Sequence, residues 1–379
     1  MLAIVVLAAL AAAQTAKPRA RDLGVPFEGT AGPLNAITDV SGVEVGVTTL
    51  IEGEGPLQVG KGPVRTGVTA ILPRGKASAD PVMAGWFSMN GNGEMTGTTW
   101  IKEGGFMEGP VFITNTHSVG TVRDASIKWA ADRGRLFQPW ALPVVAETYD
   151  GYLNDINGFH VKPEHVFAAL DGAGGGAIAE GNVGGGTGMI CHEFKCGTGT
   201  SSRVVKIDVR EYRVGVLVQA NYGIRGELRV AGVPVGKVLQ NDLLWSEPKD
   251  TGSIIIVIAT DAPLLPHQLK RLARRASLGL ARNGSYSGNG SGDIFIAFST
   301  ANESANQVAT ASITGLGNEQ MDPLFLATAR AVEESIINAM IAAEPMTGYQ
   351  GNKAAAIDHQ ALMKLLKEHK AVVDKKPAR

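Results

Sequence analysis

One stretch of the chain, residues 251–298, reads TGSIIIVIATDAPLLPHQLKRLARRASLGLARNGSYSGNGSGDIFIAF. Its two apolar runs, at 254–258 and 294–298, are rich in β-branched and aromatic residues and predict strands buried on both faces. Residues 264–282 between them predict a helix, with Asp261 as the residue that caps it. A strand, a helix and a second strand in this order predict a parallel pair, because the helix returns the chain to the same edge of the sheet.

Each of these two strands begins at a serine flanked by glycine. Ser253 follows Gly252, and Ser291 lies two residues before Asp293. If the strands are parallel neighbours, about 4.8 Å apart, the two hydroxyls and the carboxylate share one pocket at the edge of the sheet. The topology alone favours a simpler alternative, in which both strands merely start after loops.

The rest of the 379-residue chain is an alternation of short strands and helices, which fits one large sandwich or two domains. The sequence contains 48 glycines, so many tight turns are expected between these elements. Further strands are predicted at 43–47, 67–72, 110–113, 142–148, 204–209 and 212–220, and further helices at 126–133, 163–170, 322–343 and 354–374.

Charge and motifs exclude several classes of function. Thirty-five basic and 36 acidic residues give a net charge of −1, and only the C-terminal tail, 375–379, forms a block of like charges, so a nucleic-acid partner is not expected. The Gly-x-Ser-x-Gly, His-Glu-x-x-His and Gly-Lys-Ser/Thr motifs are absent from the sequence. The glycine tract 172–188 resembles a phosphate loop in composition only, because a helix precedes it. It leaves open the alternative of a glycine-rich nucleotide-binding protein.

The N-terminus predicts export. Residues 1–13 are apolar, too few for the roughly 20 that span a bilayer, and the alanines at 11–13 offer a signal-peptidase site. We therefore predict a signal peptide at 1–16 and a periplasmic or secreted protein with no membrane partner after its removal. No Lys or Arg precedes the apolar run, so a cytoplasmic location stays open.

Cys191 and Cys196 are the only cysteines. We expect two unpaired, packed residues, because a five-residue spacing along an extended segment holds their Cα atoms too far apart for a disulfide. A metal site built on these two and His192 lacks a second pair of ligands.

Long motifs, in order, resemble one protein family. They are residues 251–275 and 289–299 from the stretch above, ETYDG at 147–151 and VQANYG at 218–223. The family is the L-aminopeptidase D-amidase/D-esterase group, which includes the β-peptidyl aminopeptidases. The resemblance runs from about residue 21 to 352. It implies an α+β fold, a four-layer αββα sandwich resembling that of the N-terminal nucleophile hydrolases but with its own connectivity, in a homotetramer.

The resemblance also implies self-cleavage between Gly252 and Ser253. The products would be an α-chain, 17–252, and a β-chain, 253–379, which together form one catalytic domain. Ser253 would become both the new N-terminus and the nucleophile. An N-terminal residue brings its own base, since an α-amino group titrates near 7.7–8.0.

The same resemblance implies roles for the other site residues. Ser291 and Asp293 would handle the proton of the nucleophile, Tyr149 and Asn221 would contribute to the oxyanion hole, and Glu147 would bind the ammonium group of the substrate. Each also has a structural alternative. Tyr149 could simply pack, Asn221 could form a turn, Glu147 could be a surface acid and Asp293 could cap a loop.

The predicted function is therefore a serine aminopeptidase or amidase that uses an acyl-enzyme and needs no metal or organic cofactor. Its substrates would be short peptides, amides or esters with a free amino group on an L-, D- or β-amino acid. A second possibility is a related self-cleaving amidase or acyltransferase that acts on oligoamides, since both reactions share the acyl-enzyme.

Overall fold

The structure is a computed structural model of the single, uncleaved chain and describes residues 17–247 and 252–373. The predicted signal peptide at 1–16 lies outside the described residues, and so does the predicted end of the last helix at 374. No helix within the described ranges combines the length and the apolar character that crossing a membrane requires.

The strands fall into two main sheets and two short hairpins. Their bounds are β1 (Glu44–Glu52), β2 (Val64–Leu72), β3 (Val82–Ser88), β4 (Phe106–Met107), β5 (Val111–Asn115), β6 (Val144–Thr148), β7 (Ile190–Cys191), β8 (Phe194–Lys195), β9 (Thr198–Ile207), β10 (Arg210–Asn221), β11 (Ser253–Thr260), β12 (Gly292–Ser299), β13 (Met346–Thr347) and β14 (Lys353–Ala354).

The α-helices connect and cover these strands. Their bounds are α1 (Ala20–Leu23), α2 (Thr98–Gly104), α3 (Val119–Asp132), α4 (Pro163–Asp171), α5 (Pro266–Arg282), α6 (Asp322–Ile341) and α7 (His359–Glu368).

The two main sheets pack face to face. One has the strand order β1-β2-β5-β6, with only β5 and β6 parallel. The other has the order β4-β3-β12-β11-β10-β9, with only β11 and β12 parallel. Apolar side chains from the facing surfaces form the central core, among them Ile113, Ala146, Leu217, Val257 and Ile296.

Helices cover the outer face of each sheet. α5 and α6 pack on the six-stranded sheet, while α3 and α4 pack on the four-stranded one. Alternate residues of β11 explain why its sequence is apolar throughout, since Ile256 faces α5 and α6 whereas Val257 faces the other sheet. The predicted four-layer αββα sandwich is confirmed.

Several predicted element boundaries are wrong, among them the starts of α3, β9 and α7. α3 begins at Val119 rather than 126, and its first two turns combine the apolar Val119, Val122 and Ala125 with Gly120 and Thr121, which are poor helix formers. β9 begins at Thr198 rather than 204, in a Thr/Ser/Gly segment that is nevertheless buried. α7 begins at His359 rather than 354, where the Asp358 side chain accepts hydrogen bonds from two N–H groups of the first turn.

Asp261 does not cap α5. Its carboxylate accepts a hydrogen bond from the backbone N–H of Arg213 at 2.7 Å, across the sheet. The helix begins later, at Pro266, and the Gln268 side chain accepts from the N–H of Leu265 at 3.0 Å.

The prediction of unpaired cysteines is also wrong. Cys191 and Cys196 form a disulfide, with their Cα atoms 5.4 Å apart. The segment is not extended, because β7 and β8 form a tight hairpin in which His192 and Glu193 both have positive φ. The hairpin brings the sulfurs together, so the cysteines do not form the metal site that the sequence left open.

The second part of the glycine tract, 180–188, is part of the core, whereas the first part, 172–179, is mostly exposed. Gly184, Gly185 and Gly186 are buried, and a Cβ on Gly185 would lie 2.5 Å from the backbone oxygen of Ile113. The N–H of Gly185 donates to the Thr69 hydroxyl at 3.1 Å. Packing against strands leaves no room for a phosphate at 184–186, whereas the glycines at 174–176 lie in open space, so the structure counts against nucleotide binding only in the later part of the tract.

Candidate active site

The strand pairing brings Ser253 to the centre of one sheet edge. β11 and β12 are parallel neighbours, as predicted, with Ser253 opposite Gly292. On its other side β11 pairs with β10, and Ser253 lies opposite Asn221. The first residue of β11 therefore lies between the Ser291–Asp293 segment and the end of β10.

Hydrogen bonds order the serines and the aspartate at this edge. The backbone N–H of Gly292 donates to Ser253 Oγ at 3.1 Å. Ser291 Oγ donates to Asp293 Oδ1 at 2.7 Å, and the N–H of Ile254 donates to the same oxygen at 3.2 Å. Asp293 thereby holds the Ser291 hydroxyl next to the start of β11. In the described part of this uncleaved chain, no hydrogen bond joins the two serine hydroxyls.

Gly252 packs directly against β10. A Cβ built at this position would lie 1.9 Å from the backbone oxygen of Asn221 and 2.7 Å from Tyr222 Cα, closer than real Cβ contacts. Only glycine fits here without displacing the chain. The residue before Ser253 is therefore held close to the Asn221 backbone.

Asn221 uses both ends of its side-chain amide. Its Nδ2 donates to the backbone oxygen of Tyr149 at 2.9 Å, and its Oδ1 accepts from the N–H of Ile190 at 2.9 Å. Asn221 thus joins the end of β6 to the β7–β8 hairpin at the position opposite Ser253. One Nδ2 hydrogen remains for a further acceptor, because an amide nitrogen carries two.

Tyr149 reaches the site through its main chain. Its side chain is 51% exposed and lies over Gly151, where a Cβ would meet the phenol oxygen at 2.4 Å. Within the described residues, the phenol makes no hydrogen bond. The pKa of Tyr149 is raised above its ordinary value, mainly by burial and to a smaller extent by the nearby Tyr349.

Glu147 is buried at the end of β6. Its carboxylate accepts from the Thr116 hydroxyl at 2.5 Å and from the backbone N–H of Glu94 at 3.0 Å. Burial raises the pKa of Glu147, and these hydrogen bonds partly oppose the rise. A cation placed beside this carboxylate would relieve the cost of burying its charge.

A loop that the sequence did not single out connects Glu147 to the serines. Asn92 donates from its backbone N–H to the oxygen of Ser291 at 3.2 Å and from its side chain to the oxygen of Gly290 at 2.8 Å. Next to it, Gly93 lies so close to the site that a Cβ built on it would be 3.2 Å from both Glu147 Oε1 and Gly292 Cα. The density of Asn and Gly at 90–93 was the only available signal, and it is shared with ordinary turns.

Asp150 is a second buried carboxylate that sequence reasoning missed. It accepts from Asn154 Nδ2 at 3.0 Å, and the side chains of Thr66 and Asn115 are further hydrogen-bond partners. Burial raises the pKa of Asp150 to about 7 in spite of these partners. It follows Tyr149 directly in the chain, so it lies in the wall of the site.

The arrangement suits acyl transfer on a substrate with a free amine. It contains a buried hydroxyl at a glycine junction, a Ser–Asp pair beside it, an amide next to the nucleophile and a buried carboxylate one loop away. The structure brings Ser253, Ser291, Asp293 and Asn221 together, places Glu147 against Gly93 and attaches Tyr149 through its carbonyl. Their catalytic roles stay predictions.

Comparison with known proteins identifies relatives over nearly the whole chain. A family model described as peptidase family S58 matches residues 35–354. The "beta-peptidyl aminopeptidase BapA" of Sphingosinicella microcystinivorans is 55% identical over 375 residues, which cover 95% of this chain and 94% of the relative. The protein of the same name from Sphingosinicella xenopeptidilytica is 49% identical, with 97% and 95% covered.

Solved structures agree with this. The L-aminopeptidase D-Ala-esterase/amidase of Ochrobactrum anthropi superposes with a TM-score of 0.88 at 50% identity, over 94% of this chain and all of that one. It is described as a prototype for the serine aminopeptidases and a new variant of the Ntn hydrolase fold. A Burkholderia sp. beta-aminopeptidase superposes with a TM-score of 0.85 at 47% identity, over 95% and 100% of the two chains.

Proposed function

The chain belongs to peptidase family S58, and from that premise we propose that it is a serine aminopeptidase or amidase activated by cleavage between Gly252 and Ser253. The membership confirms the resemblance, and with the Ntn-type fold it makes the chain a peptidase hydrolase. One observation carries the rest of the proposal. Ser253 follows position 252, where only glycine fits against the Asn221 backbone. Ser253 itself lies beside Gly292, between Asn221 and the Ser291–Asp293 pair.

The cleavage step needs only groups that lie at this edge. Ser253 Oγ attacks the Gly252 carbonyl carbon, its proton passes to the departing amide nitrogen, and an ester replaces the peptide bond. Water then opens the ester, which leaves a carboxylate on Gly252 and an α-amino group on Ser253. In this proposal Ser291, which is bound to Asp293, relays the proton, and the Asn221 amide stabilises the oxyanion.

Turnover repeats the same chemistry on an external acyl group. The new α-amino group takes the proton of the Ser253 hydroxyl, the hydroxyl attacks the substrate carbonyl, and water hydrolyses the acyl-enzyme. Glu147 selects substrates with a free amine, because an ammonium group offsets the cost of its buried charge. Two β-peptidyl aminopeptidases among the relatives support β-amino acids as preferred N-terminal residues.

The intact mass of the purified protein tests self-cleavage. We expect two fragments, the smaller beginning at Ser253, and a single chain for Ser253→Ala. A matched control is Ser299→Ala, which removes a buried hydroxyl at the far end of β12 and should leave cleavage intact. A folded wild-type chain that stays uncut contradicts the proposal, as does a Ser253→Ala variant that is still cut.

Aminoacyl p-nitroanilides with L-, D- and β-residues then test the substrate class. Release of p-nitroaniline from at least one series by the cleaved wild type, and from none by Ser253→Ala, is the expected result. Equal turnover of N-acetylated and free-amine substrates would rule out an aminopeptidase.

We further propose export and assembly into a homotetramer. The Cys191–Cys196 disulfide supports export, because such bonds persist in oxidising compartments. The mass of the mature N-terminus tests signal removal near residue 16, and sedimentation of the cleaved protein tests the tetramer.

A further inference from the structure

The disulfide hairpin lies against the site. β7 and β8 are two residues each, and the pair is turned by His192 and Glu193, whose φ angles of 48° and 62° are unusual for residues other than glycine. A hairpin this short is not stable by itself in water. Its conformation therefore depends on bonds outside its own two-stranded ladder.

Two buried groups fix the base of the hairpin. The disulfide joins Cys191 to Cys196, and both residues are fully buried. Lys195 is also fully buried, and its Nζ donates to the backbone oxygens of Met189 at 2.8 Å and Cys196 at 2.6 Å. The Cys196 N–H donates to the same Met189 oxygen at 3.0 Å.

The hairpin is attached to the residue opposite the nucleophile. Ile190, which pairs with Lys195, donates its N–H to Asn221 Oδ1 at 2.9 Å. This bond orients the amide so that Nδ2 faces the Tyr149 carbonyl, and Asn221 is the strand partner of Ser253. A shift of Ile190 would let the Asn221 amide rotate.

We propose that the Cys191–Cys196 hairpin is a positioning element that sets the orientation of the Asn221 amide and through it the rate of acyl transfer. The inference rests on the proposed function, because it assumes that Asn221 acts on the oxyanion. Cys191, Cys196 and Lys195 are then positioning residues that touch neither the substrate nor the reacting atoms.

The first experiment tests whether the Cys191–Cys196 disulfide is present. These are the only cysteines in the sequence, so thiol titration in denaturant without reductant reports on them alone. We expect no thiol in the unreduced protein and two per chain after reduction. Two thiols in the unreduced, folded and active protein would overturn the proposal.

A double-mutant cycle tests the positioning role. We compare kcat and KM per cleaved chain for the wild type, Cys191→Ser with Cys196→Ser, Asn221→Ala, and all three changes together. We expect the cysteine change to lower kcat by at least tenfold and to leave KM within about threefold. In the Asn221→Ala background it should lower kcat by less than threefold further, because residues that act through one another are not additive.

The outcomes separate this inference from the proposed function. Multiplicative losses in the triple variant, or an unchanged kcat in the cysteine variant, overturn the positioning role while Asn221 keeps its own. An Asn221→Ala variant with wild-type kcat removes Asn221 from the oxyanion hole instead. If the cysteine variant does not fold, Lys195→Met keeps the disulfide and removes the two hydrogen bonds of Nζ. It should show the same kcat-only loss in the same cycle, and additivity there would also overturn the proposal.

Discussion

Gly252→Ala should separate self-cleavage from turnover. The Cβ of an alanine at this position would lie 1.9 Å from the backbone oxygen of Asn221, where ordinary contacts begin at 3.4 Å. Since both neighbours at the contact are backbone, no side chain can rotate away. The junction must therefore move by roughly 1.5 Å relative to β10, while the Ser253–Gly292 pairing holds the hydroxyl in place.

The size of this displacement fixes the expected rate. A misplacement of about 1 Å costs roughly 100-fold in reactions that depend on positioning. We therefore expect self-cleavage to slow by at least about 100-fold, which corresponds to about 2.7 kcal/mol in the activation barrier. Once cleaved, residue 252 is a chain end that is free to leave β10. Turnover per cleaved molecule should stay within about threefold of the wild type.

The assay is pulse-labelled cell-free synthesis followed by separation of precursor and fragments over time. Gly226→Ala is the matched control, because a Cβ there meets no atom within 4 Å. Cleavage of Gly252→Ala at the wild-type rate would refute the argument from close packing. An equal loss in cleavage and in turnover would show that residue 252 acts after cleavage as well.

Three further predictions concern single side chains. Asn221→Ala should lower kcat by about 100-fold or more with the fold intact, as loss of an oxyanion donor does. Steady-state kinetics measure this loss, and a circular dichroism spectrum checks that the variant is folded. A loss of only a few-fold contradicts the role of Asn221. Glu147→Gln should lower kcat/KM roughly 10–100-fold for a free-amine substrate but not for its des-amino analogue, because a charged hydrogen bond is worth about 1.5–3 kcal/mol. Equal losses of kcat/KM for both substrates would exclude ammonium binding by Glu147. Asp150→Asn should remove a pH dependence of stability. The folded-state pKa of about 7 exceeds the unfolded value near 3.9, so wild-type stability falls as pH rises from about 4 to about 7. The thermal midpoint of the variant relative to wild type should therefore rise between pH 5 and pH 8, and a constant difference contradicts the raised pKa.

The sequence predicted the part of the fold in which local and long-range preferences agree. The run at 254–258 is apolar at every position because both faces of β11 are covered, and the helix that follows sets the parallel pairing with β12. The parallel pairing of β11 with β12 is enough by itself to predict that Ser253, Ser291 and Asp293 lie at one edge of the sheet. The resemblance, and not the topology, turned this edge into a predicted active site.

The sequence did not predict features that lack a recognisable local pattern. The turn at His192 and Glu193 lacks the Asn-Gly or Asp-Gly signal of a tight hairpin, so the disulfide was missed. The buried start of β9 is polar because its hydroxyls bond to neighbouring backbone, as Thr200 does to the oxygen of Val216. The raised pKa of Asp150 arises from burial, which has no local pattern in the sequence.

The layout of the site explains how one peptide bond can be cut without dismantling the enzyme. Glu147, Tyr149 and Asn221 belong to the segment before the junction, whereas Ser253 and the Ser291–Asp293 pair follow it. The two segments are joined by the whole of the β10–β11 ladder, from Asn221 opposite Ser253 to Val214 opposite Thr260. The proposed cleavage would remove one covalent link at the end of this ladder and leave its hydrogen bonds in place. The new amino group would then appear on a residue whose position is already fixed by both neighbouring strands, so the proposed base would arise beside the hydroxyl that it deprotonates.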